Sequence, residues 1–119
     1  MKNLIFLVIC SCYFSVAFAD PVSTGPVYIE SVAAIELQTA GHAPGNFEVK
    51  LREPLPAIAG ISCHNTYLIT KKINDPDGRI FMMLILAKTK KMPVELYVSD
   101  DNSYTAIYGR CSITAVVLI

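Results

Sequence analysis

Phe47, Val49 and Leu51 alternate with Glu48, Lys50 and Arg52. Side chains along a strand point to opposite faces with a period of two, so this segment predicts a strand with one buried and one wet face. Val94, Leu96 and Val98 alternate with Glu95, Tyr97 and Ser99 in the same way. Between Val27 and Leu37, Val27, Ile29, Ala33, Ile35 and Leu37 share one side of an alternating pattern while Glu30 and Glu36 take the other, which predicts one long, half-buried strand. Thr66–Lys72 predicts a third strand, and Tyr104–Tyr108 a weak pairing segment. Ser112–Ile119 is β-branched and almost continuously apolar, as in a strand covered on both faces. Gly41, Pro44 and Gly45 mark a loop, Pro54 and Pro56 end the strand at Phe47, and Asp100–Ser103 reads as a turn.

One segment has helical signals. Asn74-Asp75-Pro76-Asp77 offers capping side chains, a proline suited to a first turn and acidic residues at the positive end of the dipole. A helix is expected from there to about Lys90, with Lys88, Lys90 and Lys91 at its negative end and Pro93 beyond. Its centre, Ile80–Ala87, is apolar at eight successive positions and so points apolar groups in every direction around the axis. Such a helix is buried all round. Two arrangements satisfy it: the apolar loop Pro54–Ser62 folds over it, or Phe81, Met82, Ile85 and Leu86 pack against a second copy in an oligomer. The order of elements predicts a mainly β fold with one helix. One helix cannot cover both faces of an extended sheet, so a strongly curved sheet or small antiparallel barrel, capped by that helix, is expected.

The chain begins with Lys2, an apolar run from Leu4 to Val8 that continues weakly to Phe18, and Ala17-Phe18-Ala19 as a small-residue cleavage site. These are the parts of a cleavable signal peptide, which predicts export to a periplasmic or secreted location. A membrane anchor, or lipid attachment at Cys12 after Ser11, is the competing expectation for this segment. The division is therefore a signal peptide at 1–19, a flexible leader at 20–26 and a single domain at 27–119, with no transmembrane segment after cleavage. Cleavage leaves two of the four cysteines, Cys63 and Cys111. In an oxidising compartment they have one intramolecular pairing, a disulfide expected to clamp the domain and to stabilise it by roughly 4 kcal/mol; two free buried thiols are the alternative.

Charge excludes one class of partner. Of ten basic and ten acidic residues only Lys2 lies before Asp20, so the exported chain is close to neutral and lacks the basic face that nucleic acid demands. Catalytic chemistry finds no foothold either. His42 and His64 stand apart with no acidic neighbour in sequence and read as surface or loop residues, so no metal site is expected. A disulfide would leave no thiol nucleophile, and neither a Gly-x-Ser-x-Gly nor a glycine-rich phosphate loop occurs. No catalytic residue and no cofactor are expected, and the chain reads as a non-enzyme. Tyr97, Tyr104 and Tyr108 beside Asp100, Asp101 and Asn102 combine stacking and hydrogen-bonding groups that suit carbohydrate; cross-strand packing of the tyrosines is the plainer alternative.

Cys63-His64-Asn65-Thr66-Tyr67-Leu68-Ile69, Leu84-Ile85-Leu86-Ala87-Lys88, Val94-Glu95-Leu96-Tyr97 and Cys111-Ser112-Ile113 occur here in order, behind an exported start. In this layout the chain resembles small bacterial exported proteins similar to the B subunits of AB5-type toxins, the subtilase-cytotoxin-like group in particular. The resemblance implies an OB-like barrel, a Cys63–Cys111 bridge and an oligomer, a pentamer, that binds glycans. The function expected is that of an exported, non-enzymatic binding domain. A periplasmic accessory or inhibitor protein that binds another protein is the alternative.

Overall fold

The computed structural model describes residues 21–39 and 41–119. The expected signal peptide and the lipid-attachment candidate Cys12 lie outside the described residues. Six strands are present: β1 (Val22–Val27), β2 (Ile29–Ala34), β3 (Phe47–Leu51), β4 (Tyr67–Thr70), β5 (Val94–Ser99) and β6 (Ser112–Leu118). One α-helix, α1 (Arg79–Lys90), lies between β4 and β5, preceded by a single 3-10 turn at Lys72–Asn74.

The strands form one sheet in the order β1-β5-β6-β4-β3-β2. It is mixed, because β4 runs parallel to β6 while every other neighbour is antiparallel. Of the two forms expected from the sequence, a strongly curved sheet or a small antiparallel barrel, the barrel is corrected: the hydrogen-bonded sheet is mixed and open, with β1 and β2 at its two ends. Those ends are nonetheless joined by Tyr28 alone. Two residues of chain span at most about 7 Å, whereas the outer strands of a flat six-strand sheet would lie roughly 24 Å apart. The sheet must curl strongly to bring β1 and β2 to this corner.

The segment Val27–Leu37, expected as one long strand, is broken at Tyr28 and its strand ends at Ala34, and residues 22–26, expected as leader, lie in β1. Proline and glycine disguise that strand. The β1–β5 register shifts between Ser23 and Pro26, where Pro26 has no N–H to give and Gly25 takes a positive φ of 66°. Thr24 Oγ1 fills the gap by accepting the N–H of Leu96 at 3.1 Å.

The core lies on the inner face of the curl. Phe47, Val49 and Leu51 from β3, Leu68 from β4, Val94, Leu96 and Val98 from β5 and Ile113 from β6 are buried there with Leu84 and Ala87 of α1. The alternations at β3 and β5 thus point as their patterns require. β6 does not: Ser112 and Ile113 are buried, but Val117 is exposed, so only its first part is covered on both faces.

α1 starts later than the capping signals suggest. Gly78, at its N-cap, is in the left-handed region and offers no side chain. Asp75 does the capping from outside, its two carboxylate oxygens accepting the N–H groups of Ile80 at 3.1 Å and Phe81 at 3.0 Å. Lys88 and Lys90 occupy the last turn, as expected from the dipole. The helix is not buried all round. The loop Pro54–Ser62 does not cover it; Leu55 and Ile61 of that loop pack on the core instead, and Met82, Ile85 and Leu86 face solvent, Met82 at 68 % exposure. Among the described residues no helix is long and apolar enough to cross a membrane.

Candidate functional site

The chain between β5 and β6 runs from Asp100 to Cys111. It forms turns rather than the weak strand expected at Tyr104–Tyr108. Asp101 shapes its start: Oδ1 accepts the Ser103 N–H at 2.8 Å and the Ser103 hydroxyl at 2.7 Å. These bonds, the hydroxyl's first, hold the Asp101 carboxyl below the usual carboxylate range. Farther along, the Tyr104 carbonyl accepts from Asn74 Nδ2 at 3.2 Å. Ile69 and Ser112, paired across β4 and β6, are fully buried on the face opposite Leu68 and Ile113.

The segment closes on a charged cluster. Arg110 pairs with Glu48 of β3 through Nη1 and Oε2, and its guanidinium lies 5.0 Å from the centre of the Tyr67 ring. The same Glu48 oxygen is 3.3 Å from His42 Nε2. His42, expected as a surface or loop residue, lies in the loop between β2 and β3 but is buried, and its Nδ1 has no partner among the described residues. His64 is exposed as expected, and its Nδ1 accepts the N–H groups of Thr66 and Tyr67 at 3.2 and 3.3 Å. The proton of neutral His64 must then sit on Nε2.

Cys63 and Cys111 form the expected disulfide, with Cα atoms 5.5 Å apart. It ties the loop before β4 to the start of β6. Between these segments opens a cavity of about 430 Å³ lined by Ser62, Cys63, Asp100, Asn102, Tyr108, Gly109 and Arg110. Asp100 braces its rim, Oδ2 accepting the Ser62 N–H at 3.0 Å, while Tyr108 is 91 % exposed. A planar apolar face beside a carboxylate, an amide and a guanidinium can stack on a ring and exchange hydrogen bonds with its substituents.

Comparison with protein-family models, curated proteins and solved structures finds no match to this chain.

The structure thus gathers three of the six sequence-derived surface residues. Asp100, Asn102 and Tyr108 line the cavity; Tyr97, Asp101 and Tyr104 do not. Tyr97 belongs to β5, where interaction with the Glu95 carboxylate, two residues back and on the same face, holds its pKa above the usual value. Asp101 and Tyr104 serve the turn. Ser62 and Arg110 are cavity residues that sequence reasoning missed. Arg110 meets Glu48 across 62 positions, a separation that no local pattern encodes, although its place beside Cys111 put it next to the bridge.

The expected interface residues are also sorted by the fold. Met82, Ile85 and Leu86 line an almost wholly apolar groove on α1 with Phe81, Met83 and Thr89. Phe81 is partly committed elsewhere, its ring 5.4 Å from that of Phe47 in the core. No group of three or more His, Cys, Asp or Glu side chains that could hold a metal ion occurs among the described residues.

Proposed function

We propose that this chain is an exported, non-enzymatic binding domain that takes a neutral saccharide in the cavity beside the disulfide and self-associates through α1. The observation that carries the proposal is the exposed ring of Tyr108 at the rim of a cavity whose other walls are polar. Solvent exposure of a full aromatic face costs apolar hydration, and a sugar ring is the kind of partner that stacks on it while meeting hydrogen-bonding groups at its edges. Charge supports a neutral ligand. Among the described residues the one cationic group of the cavity, Arg110, already answers Glu48, whereas Asp100 accepts the Ser62 amide alone and so leaves a local excess of negative charge. An anionic sugar would meet that carboxylate at short range.

The finer architecture we propose is OB-like. With Val22–Ala34 counted as a single strand bent at Tyr28, the strand order runs round to its own beginning without a closed ladder, which supports the resemblance to toxin B subunits. The apolar groove on α1 supports self-association, and equally a second reading in which the chain is an accessory or inhibitor protein that docks another protein there.

An array of neutral, sialylated and sulfated oligosaccharides tests the saccharide proposal. Retention by neutral glycans is expected. An array with no bound glycan, or with only anionic ones bound, would overturn it.

A further inference from the structure

The neighbours in the sheet are unevenly joined. β5 and β6 pair through Val94–Leu118, Glu95–Val117, Leu96–Val116 and onward to Ser99–Ser112, and β3 and β4 through four residue pairs. β4 and β6 share a single pair, Ile69 with Ser112. The bond that marks it runs from the Ile69 N–H to the Cys111 carbonyl at 3.0 Å. Two more cross the same seam farther out, His64 N–H to the Gly109 carbonyl at 2.7 Å and Ser62 N–H to Asp100 Oδ2 at 3.0 Å. The Cys63–Cys111 bridge stands between them.

The cavity is built on this seam. Ser62 and Cys63 form one wall, while Asp100, Asn102 and Tyr108–Arg110 form the other. We propose that the Cys63–Cys111 disulfide is a redox-sensitive latch: oxidised, it holds the β4–β6 seam and the cavity closed up; reduced, it lets the two walls part while the rest of the sheet persists. The functional half of the proposal rests on the cavity being the ligand site.

Access favours attack at one end. Cys63 is partly exposed and Cys111 fully buried. A thiolate of an external dithiol attacks the Cys63 sulfur, the S–S bond breaks and Cys111 leaves as a thiolate that takes a proton. The second thiol of the reductant then displaces Cys63, so two electrons pass to the protein and the dithiol becomes a cyclic disulfide. The freed Cys111 stays among Val98, Ile113 and their neighbours, where a thiol packs as a small apolar group. The β2–β3 and β5–β6 ladders include neither cysteine, which is why opening is local.

Native-state hydrogen exchange of the oxidised protein, of the same protein in dithiothreitol and of the double variant Cys63→Ala/Cys111→Ala tests the latch without any ligand. Once the bridge is gone, the His64 and Ile69 amides should lose on the order of tenfold or more protection beyond that lost by the β2–β3 and β5–β6 ladders, which fall only with the lower global stability. Unchanged seam amides would overturn the latch, and so would an equal loss of protection everywhere. On the same samples, neutral glycans bound by the oxidised protein should be released by reduction; glycans retained at full strength would separate the seam from the site and overturn the functional half. An absence of glycan binding to the oxidised protein defeats the saccharide proposal alone, since the exchange pattern still decides the latch.

Discussion

Gly45 shows how closely one residue can be fitted. Its φ of 87° lies in the left-handed region, and a Cβ there would come within 2.6 Å of Lys72 Cδ. The lysine stem lies on the glycine, and next to it Asn46 Oδ1 accepts the Lys72 N–H at 3.3 Å. Gly45→Ala should destabilise the protein by about 1–3 kcal/mol, read by urea denaturation; wild-type stability would contradict the geometry. Asp101 offers a test by titration. Its carboxyl is held low mainly by the Ser103 hydroxyl, so a carboxyl resonance of Asp101 should titrate below the ordinary range and move up in Ser103→Ala. The sign follows: the turn's support is present above the unfolded aspartate pKa and is lost as pH falls through the depressed one. At this scale the sequence was legible where chemistry is local. The turn at Asp100–Ser103 could be read from residue types, but the burial of His42 against Glu48 could not, because that contact depends on a loop returning to β3.

Elements were legible in proportion to how far local pattern decides them. β3 and β5 fall where period-two alternation puts them, because one face of each is core and the other is not. β1 escaped notice because Pro26 and Gly25 read as punctuation, whereas an edge strand with a bulge tolerates both. α1 was placed to its last turn, yet its start slipped past Asp75, Pro76 and Asp77 to Arg79. The local signal identified a capping carboxylate but not the forward reach by which it caps. Asp75→Ala should therefore cost about 1–2 kcal/mol, although Asp75 is not at the N-cap position, and thermal denaturation would show it. A loss no larger than that of an exposed aspartate would contradict the capping role. The parallel pairing of β4 with β6 was not legible at all, since it is set by a crossover containing the helix and by the bridge between Cys63 and Cys111.

At the scale of the molecule, two cysteines left after an expected cleavage pointed to the bridge, and the structure contains it. Closure did not follow in the same way. A chain whose ends of sheet meet at Tyr28 can curl without completing a ladder, and sequence periodicity does not distinguish the two. The bridge closes a loop of 48 residues, for which chain entropy gives about 4 kcal/mol. The uncovered face of α1 carries the prediction on assembly. Met82→Asp places a charge on a residue that already faces solvent, so it should leave the monomer fold intact. In light scattering it should reduce a multimeric wild-type protein to smaller species. A wild-type chain that is monomeric would contradict self-association. Met82 suits this test better than Phe81, whose ring also packs on Phe47.

The cavity beside the bridge is the centre of the functional account, and Tyr108 is its most exposed part. The most direct test is the affinity of wild type and Tyr108→Ala for the same neutral oligosaccharides. Loss of the stacking face should weaken binding about tenfold, the effect of roughly 1.4 kcal/mol, with an unchanged melting temperature because the ring supports no packing. Undiminished binding by Tyr108→Ala would contradict the account and place the ligand elsewhere.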